Sequence, residues 1–428
     1  MRPDASRLPA IDALKAIACV LIVLHHLAFY GPMADVAKPL MPGVIGFLDE
    51  YARMAVQVFL VVSGFLFAGK FGPAALSAAP LNLLIQRYTR LVVPYSGALL
   101  LAIACSALAG VWMEHRSISD VPDLGQLLAH VLLLHDLLDQ EALSAGVWYV
   151  AIDFQLFALA VLLLWLPGRV AALRPLAPAL VAAMTLAALF GFNRDAFWDE
   201  TAFYFFGSFG LGILAGWAIR QPRPGLWLAA LTVVAVTALA VDFRPRIAVA
   251  TAVMLFLGLA GRSGFLYTMP VPAAVSRLAR ISYSVFLVHF PLCLLVNATF
   301  ITLFPTHPMV NAIGMLVALG ISIVGGELFY RGIESRPLPV RLRLLFRLLH
   351  QLAPQPAPAR RLANPQILNA QPVALAFGNQ PALHYPLRIA RVNPQIAKLR
   401  RIEILLIILP QTGKQFLLIV GINAFCND

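Results

Sequence analysis

The sequence predicts an all-α polytopic membrane protein, a helix bundle of about ten transmembrane helices. Of its 428 residues, 60% are hydrophobic and only 12% are charged, and the mean hydropathy is +0.82. A soluble chain of this length needs many more polar residues to cover its surface. The chain is also divided into apolar runs close to the ~20 residues that cross a hydrocarbon core of ~30 Å.

Ten apolar runs, separated by charged residues or by Pro and Gly, are the predicted spans. They cover approximately residues 9–30, 53–69, 91–111, 146–166, 176–192, 202–219, 225–241, 247–261, 281–304 and 309–330. Lysine and arginine concentrate in alternate loops, and the positive-inside rule then places both ends of the helical core in the cytoplasm. Leu124 to His135 is apolar but short, so we predict an interfacial or re-entrant helix on the outer side there.

The composition divides the chain into three regions. Residues 1–336 contain every predicted span and form the membrane core. Residues 337–353 repeat Arg among Leu, which predicts a basic amphipathic helix on the cytoplasmic surface. Residues 354–428 begin with dense proline and contain apolar runs too short to span, so we predict a disordered tail there and assign it no function.

The charge and the cysteines exclude several classes of function. The net charge of +12 does not indicate a nucleic-acid partner, because the basic residues are dispersed between apolar spans and form no basic domain. The four cysteines are widely separated, and their spacing fits neither a disulfide framework nor a metal site. We therefore expect no metal and no permanently bound cofactor.

The first span, Ile11 to Tyr30, has the sequence IDALKAIACVLIVLHHLAFY and carries ionisable side chains. Such groups are costly in lipid, so they are expected to face a protein interior or a water-filled cavity. At about 100° per residue, His26 lies within about 20° of Lys15, whereas His25 lies about 80° away. One stripe of the helix therefore contains the predicted site, with Asp12, Lys15, Cys19, Ile22 and His26.

The histidines and the lysine of this helix each have two interpretations. His26 is either a general base for an attacking hydroxyl or a residue that hydrogen-bonds to a neighbouring span. His25 is predicted to be a packing residue. Lys15 either binds an anionic group or extends to the inner surface.

Two further stretches contain candidate residues. Arg87-Tyr88-Thr89-Arg90 opens the third predicted span, and its two guanidiniums at i and i+3 suit bidentate binding of phosphate oxygens. Positive-inside topology is the competing explanation for them. In the second span, the Ser63-Gly64 pair permits close helix approach, and a nucleophilic Ser63 is the alternative.

Three candidates lie in later spans. Trp148, at the start of the fourth span, is predicted at the outer interface with its neighbour Tyr149. Asp153 is a candidate partner for a histidine or a substrate hydroxyl, or else it joins two helices. His289, in the ninth span, is a second buried histidine for which hydrogen-bonded packing is the alternative. Glu334 is predicted to be interfacial.

Together these stretches resemble the acyltransferase 3 family, membrane-bound O-acetyltransferases of bacterial surface glycans. IDALKAIACVLIVLHH is similar to the family's opening LDGLRGIAALLVVLYH, which places Lys15 on the family arginine and His26 on the family histidine. VFLVVSGFL is similar to FFVLSGFL, RYTRLVVPY to R-x-x-R-x-x-P-Y, WYVAIDFQLF to WfLsvElqfY and ISYSVFLVHFP to iSYslYLwHfP. The resemblance covers approximately residues 8–336, and the chain departs from the family with Lys15 for Arg, Ala16 for Gly and Asp153 for Glu.

The resemblance implies an integral protein of the bacterial cytoplasmic (inner) membrane that uses a cytoplasmic acyl-CoA, such as acetyl-CoA, as the donor. The acceptor would be a hydroxyl of a glycan or lipid-linked saccharide, which His26 deprotonates for direct attack on the thioester, with an acyl-enzyme as the other route. Asp153 is the second candidate catalytic residue. The expected substrate-binding residues are Lys15, Arg87, Arg90, Asp12, Ser63, Trp148 and His289.

A proton-coupled transporter or flippase of a glycan precursor is the alternative function. Intramembrane His, Asp and Lys also form proton relays in transporters, so these residue types alone do not separate the two classes. Many transporters are built from internal repeats, and none is visible between the two halves of this chain. The sequence therefore favours the acyltransferase.

Overall fold

A computed structural model describes residues 8–76, 79–336, 404–411 and 414–421 of the chain. Within these residues, nine helical segments are long and apolar enough to cross a membrane: Pro9–Tyr30, Ala52–Lys70, Leu81–Ala109, Val147–Arg169, Ala171–Arg194, Pro224–Val241, Pro245–Ser263, Ala273–Leu303 and Pro308–Glu334. A tenth apolar helix, Ala202–Ala218, is shorter. Each of the ten predicted spans therefore corresponds to one apolar helix, and the predicted all-α membrane bundle is confirmed.

The helices are, in chain order, α1 Pro9–Tyr30, α2 Pro32–Ala37, α3 Pro42–Glu50, α4 Val56–Lys70, α5 Leu81–Ala109, α6 Leu124–Val131, α7 Val147–Trp165, α8 Ala177–Phe190, α9 Ala202–Ala218, α10 Pro224–Val241, α11 Pro245–Ser263, α12 Phe265–Thr268, α13 Ala273–Leu303 and α14 Pro308–Phe329. A π-helical turn, Tyr330–Glu334, continues α14. Proline is the first residue of several of these helices, where its missing N–H leaves no hydrogen bond unmade.

The short helix α9 lies at the centre of the bundle, since all but two of its 17 residues are buried. It packs against α4 at two glycines. A Cβ on Gly64 would lie 1.9 Å from the carbonyl oxygen of Phe209, and a Cβ on Gly212 would lie 2.1 Å from that of Val61. The Ser63-Gly64 pair therefore has the close-packing role predicted for it.

We expect Gly64→Ala to destabilise the protein strongly. Overpacking a core typically costs about 1–3 kcal/mol, and here the added methyl would meet backbone atoms that have no rotamer in which to move aside. Gly320→Ala is the matched control, because nothing lies within 4 Å of a Cβ placed on Gly320. Thermal unfolding of the detergent-solubilised variants measures the difference, and equal unfolding midpoints would contradict the close α4–α9 contact.

The helix α5 begins at Leu81, earlier than the predicted start of the third span at residue 91. Arg87 and Arg90 therefore lie within the first turns of this helix, which extends further towards its N-terminal end than the predicted span. The first part of α5 is not part of an apolar run, because it contains polar side chains. Two of these, Arg87 and Arg90, face a cavity inside the bundle and not lipid.

The helix α6 is too short to span a membrane, as the sequence predicts. The side chain of Asp123 caps it by accepting a hydrogen bond from the backbone N–H of Gln126 at 2.7 Å. Leu124 and Leu128 are exposed one turn apart, whereas His130 is fully buried. This two-faced pattern is that of a helix lying on a surface.

The chain separates into two compact units, Met1–Pro358 and Ala359–Asp428. In the second unit the strands β1 Ile404–Gln411 and β2 Lys414–Gly421 pair antiparallel, with Ile404 opposite Gly421 and Gln411 opposite Lys414. This pairing differs from the disorder predicted for residues 354–428. The strands are rich in Ile, Leu, Val and Phe, and β-branched and aromatic residues favour strands. The surface helix predicted at 337–353 lies outside the described residues.

Candidate active site

A cavity of about 570 Å³ lies between α1, α4, α5, α7, α13 and the turn that ends α14. Its charged lining residues are Lys15, Arg87, Arg90, Asp153, Arg280, Glu334 and Arg336. Five are cations and two are carboxylates, so the lining carries a net charge of +3. Such a volume is typical of small-molecule sites, which occupy roughly 300–1,000 Å³. We call this space the arginine cavity.

One carboxylate of the arginine cavity is already paired. Arg87 forms a salt bridge with Asp153, and the hydroxyl of Ser63 donates to Oδ1 of Asp153 at 3.3 Å. Asp153 is only 5% exposed, and a buried carboxylate needs such partners. Of the two partners suggested for Asp153, a histidine or a substrate hydroxyl, no histidine contacts it among the described residues. The three side chains instead join α5 and α4 to α7.

The other cations are available to a ligand. Lys15, Arg90 and Arg280 form no salt bridge with any described residue, and Glu334 accepts a hydrogen bond from the hydroxyl of Ser284 at 2.5 Å. Several unpaired cations in one cavity favour a ligand with phosphate groups, which guanidinium binds in a bidentate manner. Lys15 and Arg90, two of the residues predicted to bind substrate, thus line the same cavity.

A buried pair of histidines joins α1 to α13. Nδ1 of His26 lies 2.6 Å from Nε2 of His289, and the two rings stack with centroids 4.9 Å apart. His289 is fully buried and His26 is 9% exposed. Cys19, on the same stripe of α1, also faces α13, with its sulfur 3.9 Å from the carbonyl oxygen of Ser282. The stripe predicted from helical phase therefore faces the protein interior.

The hydrogen bonds of the histidine pair assign its protonation. Nδ1 of His289 lies 2.7 Å from the carbonyl oxygen of Phe286, so it must carry the proton and donate it. A neutral imidazole has one N–H, and Nε2 of His289 is therefore an acceptor that receives the Nδ1 proton of His26. Nε2 of His26 is left with a lone pair and has no hydrogen-bond partner among the described residues. An imidazole oriented by a second group in this way is similar in arrangement to the histidine of catalytic triads.

His25 makes a different contact from its neighbour. Its Nδ1 lies 3.0 Å from the carbonyl oxygen of Leu48, in the segment that precedes α4. This bond ties α1 to the helix α3 and leaves His25 outside the histidine pair. The structure thus gives His25 the packing contact that the sequence predicts.

The histidine pair does not line the arginine cavity, but Phe286 lines the cavity and also contacts His289. The Phe286 ring lines the cavity, and its centroid is 6.0 Å from that of His289 and 5.1 Å from that of Tyr149. Tyr149 is 9% exposed and also lines the cavity. The prediction of an interfacial aromatic is therefore corrected for Tyr149, because α5 and α13 cover the first turn of α7.

The remaining predicted residues lie beside the cavity and not in it. Asp12 is one helical turn from Lys15 but does not line the cavity. Trp148 packs against Phe205 with ring centroids 5.5 Å apart, on the far side of Tyr149. Conversely, Arg280 directly precedes the ISYSVFLVHFP element but is not among the predicted site residues, and Glu334 is predicted at the interface. The π-helical turn that brings Glu334 into the cavity has no recognisable sequence signal.

One family model, described as an acyltransferase domain, matches residues 8–327. Together with the apolar helices, the match defines a membrane acyltransferase. The chain belongs to the acyltransferase 3 family, as its motifs predict. Comparison with curated proteins and with solved structures gave no significant match.

Proposed function

We propose that the protein transfers an acyl group, such as acetyl, from cytoplasmic acyl-CoA to a hydroxyl of a cell-surface glycan or lipid-linked saccharide. The observation that carries this proposal is the free Nε2 of His26, on an imidazole whose orientation and protonation His289 sets. A lone pair in this setting is suited to take the proton of a hydroxyl. The arginine cavity supports a phosphate-bearing donor.

The reaction is an acyl transfer that needs one base. Nε2 of His26 takes the acceptor hydroxyl proton while the oxygen attacks the carbonyl carbon of the thioester. The tetrahedral intermediate then collapses, the C–S bond breaks, and the thiolate of CoA recovers the proton from His26. His26 is an imidazolium between these steps, and its hydrogen bond to His289 becomes charge-assisted and stronger. The base is thus regenerated in each cycle.

The donor phosphates are assigned to the cations of the arginine cavity that form no salt bridge with a described residue, namely Lys15, Arg90, Arg280 and Arg336. Arg87 has a separate role in this proposal, since it neutralises the buried Asp153. The positive-inside rule supports a cytoplasmic position for the cavity and for both ends of the core, because α1 and α5 start at this end of the bundle. The resemblance to bacterial glycan acyltransferases supports placing the protein in the bacterial inner membrane.

Arg90→Ala is expected to raise the KM for acyl-CoA by about 10- to 100-fold, because a hydrogen bond to a charged group contributes roughly 1.5–3 kcal/mol. The KM for the acceptor should change little. Arg277→Ala is the control, since Arg277 is exposed, pairs with Glu327 and does not line the arginine cavity. Steady-state kinetics in membranes measure both constants, and an unchanged donor KM for Arg90→Ala would leave this arginine with a topological role only.

The function itself is tested by mass spectrometry of surface glycan from strains with and without the gene. Ester-linked acyl groups that disappear on deletion and return with the wild-type gene support the acyltransferase. A glycan that is absent from the surface, with no change in its acylation, is the result expected of a transporter or flippase instead.

A further inference from the structure

Phe286 is the one residue that lines both the arginine cavity and a second, much smaller cavity. The small cavity has a volume of about 10 Å³ and is lined in part by Tyr95, Ser144 and Gly146. A volume of ~10–15 Å³ accommodates about one water molecule. The Phe286 ring therefore borders the arginine cavity and also a small cavity with room for about one water molecule.

The ring also stands on the route from the donor to the base. It is 7% exposed, with Tyr149 on one side at 5.1 Å between ring centroids and His289 one helical turn away at 6.0 Å. The histidine pair does not line the arginine cavity. Phe286 lines that cavity and its ring contacts His289, so the ring stands beside the place where a thioester from the cavity would meet a hydroxyl near His26.

The amount by which the ring can move is set by Gly146. A Cβ on Gly146 would lie 3.2 Å from both Cε1 and Cζ of Phe286, so the ring edge occupies the place that a side chain would take. The small cavity on this side adds about the volume of one water. The ring can therefore shift only by a short distance towards it, so a group that passes beside the ring has to be small.

We propose that Phe286 is the specificity-determining residue for acyl length, because its ring separates the arginine cavity from the histidine pair and admits only a short acyl thioester. This proposal rests on the proposed acyl-CoA donor. Side chains that differ by one methylene in a fitted pocket are commonly discriminated by about 10- to 200-fold, so a closed passage can enforce a strong preference.

The test compares acetyl-, butyryl- and hexanoyl-CoA as donors for the full-length protein in membranes. The wild type should lose kcat/KM steeply with each added pair of carbons, and Phe286→Ala should raise the hexanoyl-to-acetyl ratio of kcat/KM by at least about 10-fold. The carbonyl oxygen that orients His289 belongs to the backbone of Phe286, so the alanine variant keeps that bond. Phe59→Ala is the control: it also removes a ring from the arginine cavity, but not one that lines the small cavity.

If the Phe286 variant does not fold, Gly146→Ala tests the proposal by the opposite change, which is less room around the Phe286 ring. Its methyl group would crowd the ring and should lower the hexanoyl-to-acetyl ratio further. An unchanged ratio in Phe286→Ala, an equal rise in Phe59→Ala, or a wild type that uses hexanoyl- and acetyl-CoA equally well would overturn the proposal. Absence of transfer from every donor by the wild type would instead contradict the proposed function.

Discussion

His26→Ala is expected to lower the rate of acyl transfer by about 10²–10⁴-fold, the range that general base catalysis contributes. The substitution removes the only group that we assign to accept the hydroxyl proton. It should leave membrane insertion intact, since one histidine of a 22-residue helix is replaced by a good helix former. Initial rates at saturating acyl-CoA, at matched amounts of protein in the membrane, measure the effect.

The matched control for this variant is His25→Ala. His25 has the same chemistry, is adjacent in the chain and is also buried, but it bonds to the carbonyl oxygen of Leu48 instead of His289. We expect its loss to reduce activity only through a small loss of stability. An inactive His25→Ala beside a His26→Ala variant of near wild-type activity would refute both the helical phase and the assigned base.

His289→Ala is expected to lower kcat by about 10²-fold or more, although His289 does not accept the hydroxyl proton. Without it, the imidazole of His26 can rotate and can place its proton on Nε2, and loss of the correct tautomer costs up to about 10⁴-fold in catalytic triads. The KM for acyl-CoA should remain the same, because His289 does not line the arginine cavity.

His289→Gln separates this positioning role from a general effect on packing. The amide oxygen of glutamine can reach the position of the imidazole Nε2 and accept the Nδ1 proton of His26. We expect it to recover at least about 10-fold of the activity that His289→Ala loses. Equal activities of the Gln and Ala variants, together with a raised donor KM, would assign His289 to packing alone.

The sequence predicts which side of α1 faces the protein interior, because simple physical rules determine it. Helical phase puts Lys15, Cys19 and His26 on a single stripe, and ionisable groups avoid lipid, so the stripe must face the interior. The ten spans follow from hydropathy for the same reason. Neither rule depends on how the helices pack.

The contacts that the sequence does not predict depend on which residues of two neighbouring helices lie at the same level. Asp153 is within reach of several cations and histidines in principle, and only the packing of α7 against α5 selects Arg87 as its partner. The pairing of His26 with His289 likewise requires α1 and α13 to meet at one level. Glu334 enters the cavity through a π-helical turn, which has no sequence signature.

The central claim is that the free Nε2 of His26 serves the transfer of an acyl group from CoA to a hydroxyl. The most direct measurement uses the purified full-length protein in liposomes with isotopically labelled acetyl-CoA and a saccharide acceptor. The release of CoA thiol and the appearance of label in an alkali-labile ester are followed together. We predict equal amounts of both products from the wild type, and formation of both about 10²–10⁴-fold slower in His26→Ala. Ester formation by His26→Ala at the wild-type rate would contradict the account.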